Sequence, residues 1–95
     1  MRVGFVQMNS EILEVQDNVD KALRILDRMK ADLVVLPELF NTGYNFSSRR
    51  EVEKVSEPIP GGFTTEKLLE TSRKSGMIIV AGLAERSKGN YYNSA

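Results

Sequence analysis

The amino-acid sequence predicts an α/β fold with a mostly parallel sheet and flanking helices, and three observations carry that expectation. Leu33, Val34, Val35 and Leu36 form an unbroken apolar run, the pattern of a parallel strand buried on both faces. A second run, Val3 to Met8, combines β-branched and aromatic residues, as strands do. Between them Val15, Val19, Ala22, Leu26 and Met29 recur at intervals of four, three, four and three, which places them on one helical face. Strand, helix and strand make a βαβ unit, for which a parallel pair and a right-handed crossover are expected.

The elements follow in order. The first strand contains Gly4, a place where another backbone can approach closely. The helix is expected over about Glu14 to Lys30, with Asp17–Lys21 and Asp20–Arg24 as i,i+4 pairs on its solvated face. The second strand ends at Pro37, which cannot donate to a sheet ladder. A polar and aromatic loop, Phe40 to Ser48, leads to a short charge-rich segment, Arg49 to Val55, read as a helix of two turns. Pro58, Pro60, Gly61 and Gly62 break the chain before the next helix. Thr64 is its expected N-cap, with Phe63 stapled onto Leu68 and Gly76 ending it. Met77 to Ala81 is a further buried strand continuing toward Glu85, and Ser87 to Asn90 turns it into a hairpin with Tyr91 to Ala95.

Composition narrows the function classes. The 95 residues form one small domain at most. The 13 basic and 13 acidic residues cancel and are mixed along the chain, so nothing pulls it toward nucleic acid or an acidic membrane. The longest apolar runs fall short of the ~18 residues of a membrane span, and no secretory signal precedes Val3, so a cytoplasmic protein is expected. With no cysteine and no histidine, the chain offers no disulfide, no Cys or His metal ligand and no Cys or His nucleophile. Gly61 and Gly62 lack the GK[ST] or GxGxxG context of a phosphate loop, so no cofactor or metal is expected.

The stretch Ala31 to Tyr44, ADLVVLPELFNTGY, holds the residue around which the chain is organised. Glu38 follows Pro37 at the end of the second strand, and open α/β sheets bind ligands outside the carboxyl ends of their strands. On position alone, Glu38 is either a reactive carboxylate or one that caps a turn or pairs with a surface cation.

VGFVQMN, the amphipathic helix, ADLVVLPELFNTGY, GMIIVAGLAE and YYNSA, in that order, resemble the nitrilase superfamily, the carbon-nitrogen hydrolases. The resemblance covers essentially the whole chain, and LPELFNTGY is its most specific piece. It implies the N-terminal part of an α-β-β-α sandwich, residues 1–95 being a single incomplete domain, in a family that usually dimerises. It also implies hydrolysis of a nonpeptide C–N bond in a small amide, carbamoyl compound or nitrile. The family's catalytic set is a glutamate, a lysine and a cysteine. Only the glutamate has a matching position, at Glu38.

In that reading Glu38 takes the proton of a cysteine thiol, returns it to the departing amine or ammonia, and then activates water. Proton shuttling favours a carboxyl enclosed by apolar groups, and Leu36, Pro37, Leu39 and Phe40 flank Glu38 in sequence. Tyr44 and Phe40 are candidates to line the substrate pocket, the alternative being that they cover the end of the sheet. Asn41 and Thr42 are expected to stabilise the loop through side-chain to backbone bonds, and Asn93 of the YNS block to make a structural hydrogen bond. Two competing readings are a shortened relative that has lost catalysis and serves as an interaction partner, and a βαβ module for a small nucleotide. The absent glycine fingerprint argues against the latter.

Overall fold

A computed structural model describes residues 1–95. The chain runs β1 (Val3–Phe5), α1 (Val15–Leu26), β2 (Leu33–Val35), α2 (Arg49–Val55), α3 (Phe63–Ser75), β3 (Ile78–Val80), β4 (Leu83–Ser87) and β5 (Asn90–Ser94). β1, β2 and β3 form a parallel sheet in that order, with Gly4, Val34 and Ile79 in register. β4 and β5 form a separate antiparallel hairpin, so the strand expected to run from Met77 to Glu85 is broken at Ala81–Gly82 and its halves belong to different sheets. Lys88 and Gly89 take positive φ values of 50° and 78°, the pairing that a two-residue hairpin turn requires.

One face of the parallel sheet is covered. α1 and α3 contact each other, and Val19, Ala22, Leu26 and Leu68 pack with Val34, Leu36, Phe40 and Met77 in one core. α1 ends at Leu26 rather than near Lys30, because Arg28 and Met29 bond back to Ile25 and Leu26 in a closing turn. Met29 keeps the apolar rhythm beyond the helix by packing against the core, and its Cε comes within 2.9 Å of where a Cβ on Gly4 would stand. The close approach at Gly4 is therefore a side chain, not a backbone. Neither expected ion pair forms on α1: Lys21 Nζ donates instead to Asn9 O at 3.0 Å.

The opposite face is bare, which corrects the expectation of strands buried on both sides. Two register rows, Val3–Leu33–Ile78 and Phe5–Val35–Val80, point away from the helices. Phe5 is 74% exposed and Ile78 56%, while Val34 between the rows is fully buried. Alternation along a strand sends neighbouring side chains to opposite faces, and residues 1–95 supply helices to only one of them.

α2 matches its expected bounds. Ser48 accepts from Glu51 N at 3.4 Å, and Glu51 Oε1 accepts from Ser47 N at 2.6 Å, a reciprocal cap of the helix start. α3 starts two residues earlier than expected. Gly62 is its N-cap, Phe63 its first residue, and the Glu57 carboxylate accepts from Thr64 N at 2.7 Å. A side chain from outside the helix thus does the capping assigned to Thr64. Gly76 closes the helix with φ 76°, as expected.

Candidate active site

Glu38 stands at the carboxyl end of β2, released from the sheet where the sequence places it. Leu36 N still donates to Val80 O at 2.8 Å, Pro37 has nothing to donate, and Phe40 N next bonds Gly82 O at 3.2 Å. Between those two bonds the backbone of Glu38 crosses Gly82 so closely that a Cβ there would lie 2.7 Å from Glu38 Cα. Leu39 then takes φ 49°, and Gly43 N bonds Leu39 O at 3.0 Å to close a tight turn.

That turn is held carbonyl by carbonyl. Phe40 O accepts from Ser10 Oγ at 2.5 Å, Asn41 O from Asn18 Nδ2 at 2.9 Å, and Thr42 O from Leu13 N at 2.8 Å. Thr42 Oγ1 donates to Gly43 O at 2.7 Å, the local bond expected of it. Asn41 behaves differently from expectation: its Nδ2 donates at 3.0 Å to both Glu57 Oε2 and Thr64 Oγ1. Asn41, Thr42 and Thr64 are fully buried, so these bonds replace water that the groups lose, although Asn41 Oδ1 is buried without a partner.

The Glu38 carboxylate lies in the open. The apolar enclosure expected from its sequence neighbours does not form within residues 1–95, because Leu36 and Phe40 turn into the core and leave Glu38 exposed. Its one hydrogen bond comes from Asn93 Nδ2 on β5, which meets Oε1 at 2.5 Å. Glu38 borders an open crevice of about 340 Å³ whose wall includes Met8, Ser10, Ile12, Leu39 and Tyr44. A second concavity, toward Val35, Val80, Gly82 and Asn93, meets it at the same residue. A larger hollow beside Arg2 and Asp32 lies at the opposite end of the sheet, away from Glu38.

The two aromatic candidates part company. Tyr44 is 80% exposed and shares the crevice with Glu38. Phe40 is fully buried in the core and lines neither concavity beside Glu38, the placement of a residue that covers the end of the sheet. The sequence reading missed Glu57, Asn18 and Gly82, which hold the turn and the backbone of Glu38 from segments distant in sequence. Asn93 was singled out, but its partner was not.

The profile of the carbon-nitrogen hydrolase family matches residues 2–95. The chain is 47% identical over 98 residues to a nitrilase from Pyrococcus abyssi, covering 100% of this chain and 37% of that protein. It is 33% identical over 97 residues to an omega-amidase from Danio rerio, covering 98% of this chain and 33% of the relative. It thus spans about a third of the length of these relatives. Among solved structures, an N-terminal amidase superposes with TM-score 0.87 at 25% identity, over 97% of this chain and 23% of that one. A carbon-nitrogen hydrolase superfamily protein from Xanthomonas campestris shares the fold with TM-score 0.83, over 97% of this chain and 34% of its own. On the profile that matches nearly its whole length, the chain belongs to the carbon-nitrogen hydrolase family.

Proposed function

We propose that this chain contributes the general base of an enzyme that hydrolyses nonpeptide C–N bonds, with Glu38 working beside a lysine and a cysteine. The chain has no cysteine, and none of its lysines contacts Glu38. The observation that carries the reading is the placement of Glu38: an exposed carboxylate at a strand's carboxyl end, with one oxygen bonded by Asn93, the other accepting no hydrogen bond, and the residue bordering a crevice.

In this mechanism Glu38 accepts the thiol proton as sulfur attacks the carbonyl or nitrile carbon. For an amide, the lysine ammonium stabilises the oxyanion of the tetrahedral intermediate. The glutamic acid then protonates the departing nitrogen, releasing amine or ammonia and leaving a thioester. Glu38 next takes a proton from water, whose oxygen attacks the thioester and frees the acid and the thiol. The substrate class is a small amide, carbamoyl compound or nitrile, and Tyr44 on the crevice wall is the residue proposed to touch it. The same reading puts the whole enzyme in the cytoplasm as a homodimer or larger assembly.

A second reading, a relative without catalysis that acts as an interaction partner, is favoured by the bare apolar sheet face. One experiment separates the two. Residues 1–95 replace the aligned segment of the Pyrococcus abyssi nitrilase, and ammonia release is followed for a panel of amides and nitriles. Turnover that falls at least about 100-fold with Glu38→Gln is expected for a catalytic base. Turnover indifferent to Glu38→Gln overturns the assignment, and a graft that folds but never turns over favours the interaction partner.

A further inference from the structure

We infer that Asn93 is a positioning residue for the base, holding Glu38 Oε1 so that Oε2 is the oxygen that exchanges the proton. This rests on the proposed role of Glu38. Asn93 Nδ2 is the only hydrogen-bond donor to the Glu38 carboxylate within residues 1–95, and Oε2 accepts none. No lysine or arginine lies within ion-pair distance of it.

The donor is itself firmly mounted. Asn93 pairs across the hairpin with Ala84, which is buried, and Ala84 O accepts from Glu57 N at 3.0 Å. Arg86 N returns to Glu57 O at 2.8 Å, and Ser94 Oγ ties β5 to Glu85 Oε1 at 2.8 Å. The hairpin therefore docks onto Glu57, the residue whose carboxylate also binds Asn41 in the turn after Glu38. Gly82, at the base of the same hairpin, lets the Glu38 backbone settle against it. Backbone and side chain of Glu38 are thus located by one element, β4–β5, reached from opposite ends.

The chemistry suits a base that must both take and return a proton. A carboxylate with two free oxygens can rotate about its last torsion, a broad one for glutamate. One bond to Oε1 restrains that rotation and leaves Oε2 as the oxygen without a partner. An amide carries no charge, so it orients the group without an ion pair that would oppose protonation.

The test has two arms. In the 95-residue chain, the side-chain amide signals of Asn93 are followed by NMR as the pH is taken through the carboxylate range. They are expected to move with it, and to stop moving in Glu38→Gln. Asn93 signals that ignore the pH, or that move equally in Glu38→Gln, overturn the contact. In the grafted enzyme, Asn93→Ala is expected to lower kcat about 10- to 100-fold with KM within about twofold, since misplaced reacting groups slow chemistry rather than binding. Asn93→Gln, which keeps the amide donor, is expected to recover part of that loss at an unchanged melting temperature. Unchanged kcat in Asn93→Ala, or equal loss in both variants, overturns the positioning role. A graft that folds without turnover counts against the hydrolase reading of Glu38, and the amide titration then decides the contact by itself.

Discussion

Gly82 has no side chain, and Glu38 fills the space one would need: a Cβ at position 82 would stand 2.7 Å from Glu38 Cα and 2.9 Å from Leu39 N. Backbone cannot yield there as a flexible side-chain end can. Gly82→Ala is therefore expected to cost about 1–3 kcal/mol of stability through overpacking, and to shift the amide signals of Glu38 and Leu39. Urea midpoints measure the first and NMR the second. An alanine that leaves both unchanged would show that the approach is not a constraint.

Glu57 is the support beneath the site. Its carboxylate accepts from Thr64 N, Thr64 Oγ1 and Asn41 Nδ2, all three on fully buried residues. Glu57→Ala strands those donors and is expected to destabilise the fold by about 2–4 kcal/mol. Glu53→Ala, which removes the exposed ion pair to Arg49, should change stability by less than about 1 kcal/mol. Chemical denaturation of both variants checks the contrast, and equal losses would refute it.

Phe40 and Tyr44 are expected to separate just as sharply. Phe40→Ala empties a fully buried position and should cost about 3–5 kcal/mol. Tyr44→Ala, at an exposed position, should stay within about 0.5 kcal/mol. In the grafted enzyme the Tyr44 variant should instead raise KM. A Tyr44→Ala enzyme with unchanged KM for every substrate would remove that residue from the pocket.

The bare sheet face predicts association. Val3, Phe5, Val35, Ile78 and Val80 present a contiguous apolar surface, and such patches on isolated chains promote binding to a partner or aggregation. Sedimentation velocity of the 95-residue chain is expected to show self-association that weakens in Phe5→Lys and Ile78→Lys. A monodisperse monomer at high concentration would speak against it.

Much of the fold was legible because its signals are local. The spacing of Val15, Val19, Ala22 and Leu26 depends only on helical pitch, Pro37 stops a strand wherever it stands, and Gly76 accepts a left-handed φ cheaply. Errors arose where a distant segment decided the outcome. α3 is capped by Glu57 rather than Thr64, Lys21 finds Asn9 O rather than Asp17, and the strand through Ala81 breaks because Gly82 must pass beneath Glu38.

For the candidate site the division is the same. By itself the sequence determined the βαβ unit, the family resemblance and the identity of Glu38 as the carboxylate that ends β2, since each follows from a contiguous run of residues. Only the tertiary structure decided that Asn93, 55 residues away, holds Oε1, that Phe40 belongs to the core, and that Glu38 stands exposed. Those outcomes depend on which segments meet in space. A hydrogen bond or a burial is a property of the pair that meets, and neither partner's local sequence contains it.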